Sequence, residues 1–90
     1  MSIISINQKI ENFDKWKEAF DKHNATRDEY GINILNVFRG IEDRNKVTVI
    51  AEETKPDALK AFMGSEKVQL AMKDAGVLGP PEISIFERIS

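Results

Sequence analysis

INILNVFRGIEDRNKVTVIAEE, residues 32–53, decides the fold. Its first part, 32–40, sets Ile32, Ile34 and Phe38 on one parity against Leu35 and Val37 on the other, which predicts a strand that is apolar on both faces. EDRN (42–45) is a polar turn, and KVTVIAEE (46–53) alternates again, with Val47 and Val49 opposed to Ile50. Two such runs joined by a short polar turn make an antiparallel hairpin.

Outward from the hairpin, the flanks repeat one plan. Residues 3–10, IISINQKI, place Ile4, Ile6 and Ile10 on one parity with Gln8 interrupting it, a further strand. Between that strand and the hairpin, Asn12 offers an N-cap, Phe13 to Tyr30 keeps helical spacing, and Gly31 supplies the stop, a helix of about five turns. After the hairpin, Thr54, Pro56 and Asp57 form a helix-start signature, and a second helix runs to Gly76 with a break at Gly64-Ser65. GPP (79–81) ends that regular structure, and EISIFERI (82–89) is the last strand. The order β-α-β-β-α-β is the ferredoxin-like α+β arrangement: an antiparallel sheet with two helices on one face, here over residues 1–90 as one domain.

Helices cover one face of such a sheet, yet the strands read as apolar on both. Ninety residues bury only roughly 60–65% of the surface an unfolded chain exposes, so the second face needs a cover from outside the chain. A second copy of the same sheet is the simplest cover, and the expected assembly is a homodimeric α/β barrel.

Composition excludes several functions. The chain is 41% hydrophobic and 31% charged with net charge -2, and its 13 basic residues are scattered, so no track exists to neutralise a run of nucleic-acid phosphates. There is no cysteine, hence no thiolate chemistry and no cysteine-based zinc site; a single histidine and no clustered acidic motif leave no metal site to expect. No basic stretch precedes the apolar N-terminal residues and no run approaches the length of a membrane span, so no membrane partner and a cytoplasmic location are expected.

The helix pattern FDKWKEAFDKHNATRDEYGI, the tail AMKDAGVLGPPEISIFE and the doubly apolar strands together resemble the dimeric α/β-barrel superfamily, in particular the small proteins similar to antibiotic-biosynthesis monooxygenases. The resemblance covers essentially the whole chain. It implies a dimeric barrel and a choice among cofactor-independent monooxygenases, isomerases, haem-degrading enzymes and members without assigned activity; no cofactor is called for. The haem-degrading branch draws its histidine from the second helix, whereas the only histidine here lies on the first, and its residues are not carried over.

On the first helix, Phe13, Trp16, Phe20, His23, Arg27 and Tyr30 are spaced 3, 4, 3, 4 and 3, one stripe facing the sheet. A titratable ring and a cation therefore share a face with the core aromatics. One outcome is a pocket between helix and sheet in which Arg27 holds an anionic or enolate oxygen, His23 moves a proton, and Trp16, Phe20, Asn36 and Phe38 form the binding walls. The other is a fixed ion network in which His23 and Arg27 pair with strand-end carboxylates, Glu53 or Glu87, in a ligand-sensing or structural dimer without catalysis. The apolar face of the second helix, Leu59, Phe62, Met63, Val68 and Met72, reads as packing.

Overall fold

A computed structural model describes residues 2–90. The elements run β1 (Ser2–Ile10), α1 (Phe13–Lys22), α2 (Asn24–Tyr30), β2 (Ile32–Arg39), β3 (Lys46–Glu53), α3 (Ala58–Gly64), α4 (Glu66–Asp74) and β4 (Val77–Glu87). The four strands form one antiparallel sheet in the order β2-β3-β1-β4. This is the expected ferredoxin-like α+β fold.

The local signals act where the sequence puts them. Asn12 accepts the Lys15 backbone N–H at 3.0 Å and opens α1, and Gly31, at φ 85°, closes α2 in a left-handed conformation that a glycine adopts without penalty. The second helical segment breaks at Ser65, between α3 and α4. Its start is displaced from Thr54: Lys55-Pro56-Asp57 forms a turn, and α3 begins at Ala58. Thr54 instead donates its hydroxyl to the Gly31 carbonyl at 2.8 Å, while the Glu53 carboxylate accepts the Leu59 N–H at 2.8 Å and supplies the missing cap.

Three expectations change. The five-turn helix is two helices, because the backbone leaves helical geometry at His23 (φ -100°, ψ 14°). GPP does not end regular structure: β4 passes through it, with a register shift opposite Gln8, and it is an edge strand, where a proline's missing donor is tolerated.

The third change lies in β2. Ile34 pairs with Ala51, but Asn36 pairs with Ile50, so Leu35 is an extra residue and the parity reverses after it. Val37, opposite Val49, turns toward the helices, and Arg39 follows it, its guanidinium 4.3 Å from the Phe13 ring centroid. Asn36 and Phe38 turn outward. The helix-free face is consequently mixed rather than uniformly apolar. Phe38 and Phe86 are 54% and 53% exposed on it, but Ser5, Asn7 and Thr48 run through its middle, with Thr48 donating its hydroxyl to the Asn7 side chain. Ile83 and Ile85 pair with Ile6 and Ile4 and so take the helix-side parity, yet both are exposed.

The core sits between sheet and helices in two clusters. One joins Ile4, Ile32 and Ala51 to Ala58 and Leu59 of α3. The other joins Ile10, Val47 and Val49 to Trp16 of α1 and Ala75.

Candidate functional site

Between the two clusters lies a cavity of about 90 Å³. Its floor is the inner face of the sheet, from Ile6 and Gln8 to Ile34 and Val49; one wall is α1 and α2, and the other is α3 and α4. Trp16, Phe20, His23 and Arg27 all border it. The helical stripe brings these four together despite the break, because Arg27 N–H still bonds to the His23 carbonyl at 3.1 Å and carries the helical course across it.

Asn36 and Phe38 do not join them. The bulge at Leu35 rotates both onto the opposite face of the sheet, where both are exposed, and neither touches the cavity. The pocket position expected for Asn36 belongs to Gln8. Its side-chain oxygen accepts the Trp16 indole N–H at 3.2 Å, which fixes the amide's orientation and satisfies the buried indole. The signal was its interruption of the Ile4-Ile6-Ile10 parity, which strand alternation alone did not assign to a face. Thr26 and the α3–α4 residues Phe62, Met63, Val68 and Met72 also border the cavity, so the second helical segment is a wall and not packing alone.

Arg27 dominates the electrostatics. It is 6% exposed and flat against Phe20, with its guanidinium carbon 3.9 Å from the ring centroid. One terminal nitrogen, Nη2, donates to the Phe20 carbonyl at 2.7 Å and to Asn24 Oδ1 at 2.6 Å. The break at His23 makes this possible: the Phe20 carbonyl, which also accepts the His23 N–H at 3.2 Å, faces an arginine seven residues on. Nε is buried and has no acceptor among the described residues. Burial pushes the guanidinium below its usual range, and Asp21 and Asp28 draw it partly back. It remains charged at neutral pH all the same.

No carboxylate bridges Arg27 among the described residues; the ion pairs there are Lys17–Asp21 and Lys22–Glu18, both on α1. Glu53 is committed to α3, and Glu87 lies exposed near the end of β4. His23 is half-buried at the cavity rim with no side-chain hydrogen bond to a described residue. The cavity is thus bordered by one guanidinium, one carboxamide and one imidazole in largely apolar walls. Among the described residues no group of three His, Asp or Glu side chains is placed to hold a metal, and no helix is long and apolar enough to cross a membrane.

No protein-family profile and no curated protein sequence matches the chain. Solved structures do. A candidate antibiotic biosynthesis monooxygenase from Bordetella bronchiseptica superposes with a TM-score of 0.77 at 14% identity, over 99% of this chain and 98% of that one. The chain has the fold of the antibiotic biosynthesis monooxygenases. A second candidate of that class, from Caulobacter crescentus, gives 0.75 at 16% identity over 99% and 90% of the two chains. SnoaB of Streptomyces nogalater, a cofactor-independent oxygenase, gives 0.69 at 14% identity over 99% and 94%. Across such distances the monooxygenase likeness is one of backbone architecture.

Proposed function

We propose that the protein binds a compact metabolite bearing an acidic oxygen, a carboxylate or an enolate, in the cavity beneath Trp16, Phe20 and Arg27. The supporting observation is the buried Arg27 Nε–H without an acceptor among the described residues. A buried charged donor left unmet costs on the order of 1–3 kcal/mol, and a ligand oxygen removes that cost. Gln8 supplies a second donor, since its own oxygen is held by Trp16. Aromatic and methionine walls fit a flat apolar body.

If the protein turns its ligand over, the chemistry fits the oxygenase-like or isomerase-like members of this fold without a cofactor. His23 removes a proton next to a carbonyl, and Arg27 stabilises the resulting enolate. That enolate then regains a proton at another carbon in an isomerisation, or supplies the electrons that reduce dioxygen in an oxygenation. A second reading, binding without turnover in a ligand-sensing dimer, is favoured by one feature: no described residue orients the His23 ring, whereas a working base is usually held by a third group. In either case we place the protein in the cytoplasm as a homodimer, with a second copy over Phe38 and Phe86.

A thermal-shift screen with pyruvate, phenylpyruvate and benzoate tests the site. At a hundredfold excess over Kd, a bound acid stabilises the protein by about 2.7 kcal/mol, a shift of roughly 10–20 °C for a domain this size. Arg27→Met keeps the side-chain volume and abolishes the shift. Equal shifts in both proteins contradict the assignment.

A further inference from the structure

We propose that ligands reach the cavity through the gap between α1 and α4, with α4 as the wall that moves. The inference rests on the cavity being a binding site, and it concerns the side from which a ligand enters that space of about 90 Å³.

An open groove of about 620 Å³ runs outside the cavity between α1 and α4. Groove and cavity share three residues, Ala19, His23 and Ala71. Groove and cavity therefore adjoin at two alanines and His23. Nothing fastens the seam. Lys15, Glu18 and Lys22 face Glu66, Lys67 and Asp74 across the groove, yet among the described residues no ion pair or side-chain hydrogen bond joins α1 to α4. Glu18 and Lys22 pair with each other within α1.

α4 is anchored at its C-terminal end and lightly buried along its length. Val68 is its one buried residue, and its N-cap Ser65 makes no side-chain capping bond. The joint before it contains Gly64, around which a Cβ would meet no atom within 4 Å. The joint after it is Gly76, at φ 81°, whose carbonyl accepts the Glu11 N–H at 2.9 Å and anchors that end. A short helix with few buried contacts between two glycine joints is the kind of segment that opens locally while the rest stays folded. By contrast α1 carries Trp16, stacked on Phe20 with ring centroids 4.9 Å apart.

The chain contains one tryptophan and no cysteine, which makes the test direct. Trp16 is 3% exposed and borders the cavity, so collisional quenching of its fluorescence by acrylamide reports access without any knowledge of the natural ligand. Glu18→Cys and Leu70→Cys place thiols on the two banks of the groove, at positions that do not border the cavity. A bifunctional methanethiosulfonate links them, each thiol displacing a sulfinate to form a mixed disulfide. The expected result is loss of quenching in the linked protein and its return when dithiothreitol cleaves the linker. The same variant capped with a monofunctional methanethiosulfonate should quench as wild type does. Gly64→Ala, which stiffens the joint without a clash, should lower quenching in the unmodified chain. Quenching that is unchanged by the linker overturns the inference. Quenching that is gated while no acid stabilises the protein leaves this route standing and removes the binding assignment instead.

Discussion

The two helical layers above the sheet are built on different principles. α1 and α2 carry bulk and fixed polar contacts: Trp16 buried between Phe13 and Phe20, its indole tied to Gln8, and Arg27 folded back on the Phe20 carbonyl. α3 and α4 present only apolar side chains to the same cavity, from Leu59 and Phe62 to Ala71 and Met72, and α4 is anchored at its C-terminal end through the Gly76 carbonyl. One side thus holds the groups that could recognise a ligand in a set geometry. The other, on the inference drawn above, is the side that gives way. A site needs both, and here they lie in separate stretches of chain.

This contrast can be broken by mutation. Trp16→Ala removes the largest side chain of the rigid layer and should lower unfolding free energy by about 3–5 kcal/mol in denaturant titration. Val68→Ala removes the single buried residue of α4 and should cost about 1.5 kcal/mol. Equal losses would mean that the layers are equally packed. Gln8→Leu leaves the Trp16 N–H without its acceptor and should cost about 1–3 kcal/mol, whereas Gln8→Glu, which keeps an acceptor there, should cost less. The smallest effect belongs to the helix-free face: Phe38→Ser should change the stability of an isolated chain by no more than about 0.5 kcal/mol. In sedimentation it should weaken self-association if a second copy covers that face, and unaltered sedimentation would remove Phe38 from the interface.

The same division explains what could be read from the sequence. Element order, the Asn12 cap, the Gly31 stop and the break before Ser65 follow from local chemistry, and the helical stripe correctly gathers Trp16, Phe20, His23 and Arg27 at one cavity. Helical spacing tolerates a local break, since residues three and four apart stay neighbours across it. Strand parity does not tolerate an insertion. One extra residue at Leu35, in a stretch with no glycine to mark a bulge, sends Asn36 and Phe38 to the wrong face for the site and brings Val37 in. Gln8 stands out in the sequence as a polar intruder, but only its register against Val47 shows that it faces the helices. The commitment of Glu53 to α3 depends on where that helix starts, which Thr54 and Pro56 misplace by a turn.

The central claim is that Arg27 keeps its Nε–H for an oxygen brought by a ligand. Nitrogen-15 NMR of the arginine side chains measures this directly, with the Arg27 resonance identified by its loss in Arg27→Met. As pyruvate is added, the account predicts a saturable downfield shift of the Arg27 Nε–H proton, while those of the exposed Arg39, Arg44 and Arg88 hold still. An Arg27 signal that stays in place while the acid stabilises the protein, or shifts confined to the exposed arginines, would contradict it.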